Sequence, residues 1–290
     1  MARPENNGLA RLEAGLDSLA GARPAPRRRL RQQLWPPLVA IAVVLAGWQG
    51  LYLAGVEPDW VLPGPGEVWR SLADAAGKGE VWSSVWNSVS RGGLGFLVSV
   101  AIGTPLGVLV GRVRPVRTAI GPILSGLQNL PSVAWVPPAV IFLGVTQGAI
   151  YTVILLGAVP SIATGLVSGL DQVPPLYLRV GRNLGATGLS SVLHVLLPAA
   201  LPGYVAGLKQ GWAFAWRSLM AAEIIATSAS LGHGLGQLLK QAQDTNDMAL
   251  AFGTIALVLV VGIGVNQLVF APVERRVLRS HGLLSTVDSR

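Results

Sequence analysis

The sequence predicts an all-α, polytopic membrane protein with about six transmembrane helices. Three observations predict it. Of the 290 residues, 51% are hydrophobic and only 12% charged, against about 25% charged in a typical soluble domain, and a soluble core cannot absorb that ratio. The apolar residues gather into runs close to the roughly 20 residues that a helix needs to cross a bilayer. The arginines stand in short clusters between those runs, the pattern of cytoplasmic loops.

The net charge of +8 does not point to nucleic acid, because the basic residues are not interleaved with aromatics in one patch. Cysteine is absent and only three histidines are present, which excludes disulfides and thiolate metal sites. Three scattered histidines make no metal centre, so no metal ligand is assigned.

Residues 1–33 hold seven arginines with Pro24 and Pro26 and no continuous apolar run; they read as a flexible basic tail. Leu9, Leu12, Leu16 and Leu19 fall on one helical face, which leaves a short amphipathic helix open there. Residues 34–85 comprise a first span, Trp35–Ala54, and an external loop. That span is too long for a signal peptide and lacks a small-x-small cleavage site. Trp60, Trp69, Trp82 and Trp86 are expected as interfacial anchors, and a surface-lying helix fits Glu67–Ala76.

Residues 86–272 form the transmembrane core. Its first helix, Trp86–Val110, carries Gly92, Gly93, Gly95, Gly103 and Gly107, small residues that permit close helix contact. After the basic loop Arg112–Arg117, a third span over Thr118–Leu143 contains Pro122, Pro131, Pro137 and Pro138, so it must bend or break. Broken helices survive at membrane depth only inside protein or beside a cavity. A fourth span covers Ala149–Leu170, a fifth Leu197–Thr227 and a sixth Met248–Pro272, with a basic tail at 273–290.

With both termini in the cytoplasm, the inner segments hold Arg27–Arg31, Arg112–Arg117, Arg179, Arg182 and Arg275–Arg279. The outer segments hold Arg70, Lys78 and Lys240, offset by Glu57, Asp59, Glu67, Asp74 and Glu80. Every segment falls on its expected side under the positive-inside rule.

Between the fourth and fifth spans, 171–195 reads as a short amphipathic cytoplasmic helix. Pro174 and Pro175 end the preceding helix. Leu176, Leu178, Val180 and Leu184 are apolar, Arg179, Arg182 and Asn183 polar, and Gly185 provides a turn with no side chain, open to close approach by another backbone. Ala186 follows it, and Leu197-Pro198 starts the return helix. Across Arg179–Pro198, Gly185 is the seventh residue and Val195 the seventeenth, with Leu197-Pro198 closing. This spacing resembles the "EAA loop" of binding-protein-dependent ABC importer permeases, whose motif is Glu-Ala-Ala, three residues, Gly, nine residues, Ile, one residue, Leu-Pro. The triplet here is Arg179-Val180-Gly181, so the glutamate's usual local ion pair does not carry over. The likeness extends from about Leu62 to the C-terminus. Phrases such as VLPGPGEVW and LQNLPSVAWVPPAVIFLG are similar to the nitrate/sulfonate/taurine branch, closest to its aliphatic sulfonate members.

The resemblance implies type I importer architecture in a bacterial cytoplasmic membrane. It implies that Arg179, Arg182, Asn183, Leu184, Gly185, Ala186, Val195, Leu197 and Pro198 contact an ATPase dimer. It also implies a second permease copy and an extracytoplasmic solute-binding protein. The chain itself holds no phosphate-cradling GxxxxGK[ST] loop, so no cofactor is assigned to it; ATP and magnesium belong to the ATPase. No nucleophile–base or paired-carboxylate constellation stands at an aqueous face, so no catalytic residue is assigned.

Charges at mid-bilayer need a reason to be kept. The fifth span has Lys209, Arg217 and Glu223. Arg217 and Glu223 stand about 120° apart on the helix, so they face different neighbours. A cation near the pathway suits an anionic solute, and a structural ion pair between helices or an interfacial snorkel is the alternative for these charges. The candidate pathway residues are Gln128, Asn129, Ser132 and Trp135 in the broken span with Trp212, Arg217 and Glu223 in the fifth. A gradient-driven secondary transporter, with Glu223 as a proton or sodium site, is the second function class; an intramembrane enzyme is the third.

Overall fold

A computed structural model describes residues 26–226 and 232–282. The segment with Leu9, Leu12, Leu16 and Leu19 lies outside the described residues, as do Thr227, Leu231 and the end of the basic tail. Contacts divide the chain into two units, one holding the first helix and the other, Glu57–Leu283, holding every later element.

Helix α1 is Pro26–Leu53. It begins inside the stretch read as a tail, ahead of the expected Trp35. None of its 18-residue apolar window is buried within the chain, which in water would be untenable and in lipid is ordinary.

The second unit begins with α2, Pro65–Gly77, the surface helix expected near Glu67–Ala76. Pro65 at its first position suits the helix start, and the Glu67 carboxylate accepts from the Gly64 N–H (3.3 Å). Its Val68 and Ala75 are buried. The four tryptophans expected as anchors, Trp60, Trp69, Trp82 and Trp86, are each between 69% and 73% exposed.

Helix α3, Glu80–Arg112, is long and apolar. The third expected span is two helices: α4, Arg114–Asn129, and α5, Ser132–Leu143, which opens with a 3-10 turn. The break is at Leu130, whose ψ of 130° is extended, as a residue before proline prefers. About six spans were expected, the third of them bent or broken; among the described residues five helices are long and apolar enough to cross a membrane, and over the third expected span the chain forms this pair of shorter helices. Pro137 and Pro138 sit in the first turn of the helix after the 3-10 turn, where a missing N–H is harmless.

Helix α6, Gln147–Asp171, is the centre of the unit. Ile150, Ile154, Ile162 and Leu166 on it are wholly buried. Against one face lies α3, whose glycines make room as expected: a Cβ on Gly103 would stand 3.0 Å from Ile162, and one on Gly107 would stand 2.9 Å from the Ala163 carbonyl. Against the other lies α8, Gly188–Ile225. There Gly157, Ser161, Gly165 and Gly169 recur every four residues, as Gly203, Gly207 and Gly211 do on α8; Gly165 meets Gly207, Gly169 meets Gly203, and Gly211 lies against Ile162. A Cβ on Gly207 would stand 2.6 Å from the Gly165 Cα, and one on Gly203 2.5 Å from the Gly169 Cα. The two backbones touch, the contact that small-residue stripes provide in membranes.

The coupling segment contains α7, Pro175–Asn183. After α8 come α9, Leu235–Asp244, and α10, Met248–Ser280. Both α8 and α10 contain a π turn, at Val192–Leu196 and Asn266–Phe270. Contacts at the helix ends bring together residues that the charge reading put on one side, without saying which side is inner. Arg117 and Asp171, both assigned inside, form a bidentate pair at 2.7 and 2.6 Å. Asn87 and His233, both at the outer end, meet when the Asn87 amide donates to the His233 carbonyl at 2.8 Å.

Candidate functional site

In the segment joining α6 to α8, Pro174 precedes α7 and Pro175 sits at its first position. The helix ends in a Schellman cap. The Ala186 N–H donates to the Gly181 carbonyl (2.9 Å) and the Gly185 N–H to the Arg182 carbonyl (3.0 Å). Gly185 is the left-handed residue of that cap, with φ +84°, a conformation that side-chain-bearing residues disfavour. Among the described residues nothing stands within 4 Å of where its Cβ would be, so backbone conformation is what calls for glycine here.

Close approach is made instead by Gly181, the third residue of the divergent triplet. It is buried, and a Cβ there would stand 2.8 Å from the Val195 Cγ2. Val195 lies in the π turn that leads into Leu197 and Pro198. Two places of the motif, Gly181 at the end of its first triplet and Val195 near its close, are thus in contact across the segment. The Pro198 carbonyl has lost its usual helical partner because Pro202 lacks an N–H. His281, at the end of α10, bonds that carbonyl through Nε2 at 2.9 Å and so ties α10 to the start of α8.

Around this frame the segment is open. Leu176, Tyr177, Val180 and Leu184 form an exposed apolar stripe on α7, and Leu184 is 82% exposed. Arg179, Arg182 and Asn183 are exposed beside it. Leu178, expected to be equivalent to its apolar neighbours, is partly buried, and Tyr177 takes its place on the outer face.

The candidate pathway residues divide into three groups. Gln128, Asn129, Ser132 and Arg217 line one cleft of about 490 Å³ beside the α4–α5 break. The Gln128 amide donates to the Thr164 hydroxyl (2.6 Å) and the Pro160 carbonyl (3.2 Å), fixing it against α6. Trp212 lies in a neighbouring groove of about 790 Å³ between α8 and α10, which Arg217 also borders. Trp212 stacks on Trp216 (6.0 Å) and meets the edge of Phe96 (5.6 Å). Trp135 borders neither cleft and is half-buried.

Glu223 departs from its expected role as a lining residue. It is 0% exposed and forms an ion pair with Arg91 of α3 at 3.0 Å. It also accepts from the Ser88 hydroxyl (2.7 Å) and from the Gly236 N–H at the start of α9 (3.0 Å). Ser88 in turn accepts from the Leu235 N–H (2.8 Å). A buried carboxylate needs such partners, and these tie it to two other elements, α3 and α9. Lys209 likewise pairs with Glu274 at 3.0 Å. Arg91 and Ser88 were not singled out from sequence; the mid-membrane charge on Glu223 was the signal that a partner existed. His194 is exposed, and no group of metal-ligating residues occurs among the described residues.

Known proteins give the arrangement its context. The family model described as "Binding-protein-dependent transport system inner membrane component" matches residues 103–278, more than half of the chain. The chain is 29% identical to a probable ABC transporter permease of Brucella melitensis, over 82% of this chain and 94% of that protein. It is 26% identical to the taurine transport system permease protein TauC of Escherichia coli, over 87% and 92%. Inward-facing MetNI, a methionine ABC transporter, has a chain of the same fold, with TM-score 0.58 and 22% identity over 68% of this chain and 96% of that one.

Proposed function

This chain belongs to the family of binding-protein-dependent transport system inner membrane components, and from that premise we propose a function in detail: it conducts a small sulfonate-like anion, received from an extracytoplasmic binding protein, through a homodimeric pathway powered by an ATPase dimer. The coarse part, an ABC importer permease subunit that is not itself an enzyme, follows from the family. The observation that carries the finer reading is the exposed apolar stripe on α7. A helix presenting Leu176, Tyr177, Val180 and Leu184 outside the membrane is covered when a partner's groove receives it.

On this reading α7 is the coupling helix, and Arg179 and Arg182 meet acidic groups on the ATPase. The Schellman cap at Gly185 and the Gly181–Val195 contact hold α7 at a fixed angle to α6 and α8, so closure of the ATPase pair moves those helices with it. The permease supplies the element with two arrangements and ATP hydrolysis in the partner biases it. Both termini are cytoplasmic. The similarity to a taurine permease supports a sulfonate-like solute, and Arg217, which borders the polar cleft and has no carboxylate partner among the described residues, supports its being an anion.

The test is reconstitution in liposomes with the cognate ATPase and binding protein, comparing wild type with Gly185→Trp. ATP-dependent uptake of a sulfonate in wild type, with binding-protein-stimulated ATPase activity lost in the variant, is the expected result. Uptake that persists without the ATPase and ignores the Gly185 change would overturn the coupling role and favour a gradient-driven carrier.

A further inference from the structure

Helix α8 carries three charged residues, Lys209, Arg217 and Glu223, through the apolar zone, and the chain itself neutralises two of them. Lys209 has Glu274, and Glu223 has Arg91. Arg217 lies between them with no carboxylate partner among the described residues. Its Nε donates to the Ala213 carbonyl (3.1 Å), and its guanidinium lies over the Phe214 ring, 4.5 Å from the centroid. These contacts set the plane of the group while using neither terminal amino group. A guanidinium at membrane depth needs water or a counter-charge, and its planar pair of donors matches an oxyanion.

Two clefts meet at this residue. The smaller, of about 490 Å³, adds the polar side chains of Asn129 and Ser132 and contains no acidic residue. The larger, of about 790 Å³, runs between α8 and α10, where Ala213, Ile255, Leu259 and Ile263 make an apolar wall. The only carboxylate bordering it, Glu274, is already paired with Lys209. Trp212 and Trp216 also border this groove, and their indole N–H groups are buried without an acceptor among the described residues. An apolar cavity with a few fixed polar groups, of several hundred Å³, is the form of a small-molecule site.

We propose that the permease has a solute site of its own, in which Arg217 reads an oxyanion head and the α8–α10 groove takes an apolar tail. The ligand class is an organic oxyanion with a short hydrocarbon body, such as an alkylsulfonate. The site rests on the importer reading above, and it makes the permease itself a second point of selection after the binding protein.

The test is calorimetric titration of the permease–ATPase complex in lipid nanodiscs, without binding protein and with empty nanodiscs as the blank. Methanesulfonate, butanesulfonate, nitrate and butylammonium are the probes. Butanesulfonate is expected to bind, and each methylene removed to weaken binding by about fourfold; nitrate and butylammonium are expected not to bind measurably. Arg217→Gln should abolish binding, and Arg217→Lys, which keeps the charge and loses the fork, should weaken it at least about tenfold. Ala213→Leu, which fills the groove from an exposed position, should bring butanesulfonate down to the methanesulfonate level while leaving methanesulfonate unchanged.

Equal affinity of Arg217→Gln and wild type overturns the proposal, as does equal affinity for methane- and butanesulfonate, or binding of butylammonium as tight as that of butanesulfonate. Absence of binding in a complex whose ATPase the binding protein still stimulates overturns this site and leaves the importer reading standing. Absence of both overturns the two together.

Discussion

Replacing Glu223 by alanine should destabilise the permease by removing one partner of a buried ion pair. Glu223 is fully buried and accepts from Ser88 at 2.7 Å, Arg91 at 3.0 Å and the Gly236 N–H at 3.0 Å. With alanine the Arg91 guanidinium stays in place without that counter-charge, and breaking such a pair costs about 3–5 kcal/mol. At roughly 2–4 °C per kcal/mol for a chain of this size, the midpoint should fall by about 6–20 °C. The assay is size-exclusion chromatography of the detergent-solubilised protein after heating, read as the temperature at which half of the monodisperse peak is lost. Glu223→Gln keeps an acceptor for Ser88 and Gly236 and should lose less. The double variant Arg91→Met with Glu223→Leu removes both charges and should regain much of the loss, because apolar replacement of a whole buried pair is often neutral. A midpoint for Glu223→Ala within about 2 °C of wild type would refute the reasoning. If uptake then failed as well, Glu223 would return to the pathway as a solute or ion site.

Gly207→Leu drives a side chain into the backbone of Gly165 and should abolish recovery of folded protein, measured as monodisperse yield. Leu184→Asp removes about 1.5–3 kcal/mol of apolar burial on docking and should weaken ATPase association by roughly 10–100-fold in a pull-down titration, with the permease's own midpoint unchanged. At Gly185 the left-handed backbone ranks replacements: Asn, which tolerates that region, should retain more binding-protein-stimulated ATPase activity than Ala or Val. Asp171→Ala breaks the exposed pair with Arg117 and, as surface ion pairs contribute about 0–1 kcal/mol, should move the thermal midpoint by no more than a few degrees.

Hydropathy and charge carried most of the fold, because each apolar helix announces itself locally. So did the break in the third span, since Pro131 forces Leu130 out of helical geometry; what the apolar count could not show was that neither half is long enough to cross alone. In the coupling segment, Gly185 was visible as a turn, but its cause is the helix cap rather than an approaching backbone. The approach belongs to Gly181, and its partner Val195 became evident only once the segment folded back through a π turn. Glu223 could be read either as a lining residue or as half of a structural ion pair, and sequence did not decide between them for a related reason. Its partner Arg91 is 132 residues away, and helical angles place a charge on a face without saying which helix meets it. Gln128, Asn129, Ser132 and Arg217 border one cleft; the proline break and the mid-span charge singled these residues out, and only the fold brings the two features together.

The glycine-on-glycine seam between α6 and α8 limits how this protein can change over generations. An ordinary core contact drifts by exchange: one side chain grows while its neighbour shrinks, and the volume is kept. At Gly165 and Gly207 there is nothing left to shrink, because each already presents only backbone to the other. No second-site substitution at the contact itself can rescue an enlargement there. Suppressors of such a change should therefore map elsewhere, to positions that let the two helices separate, and a library randomising both glycines together should return glycine at both.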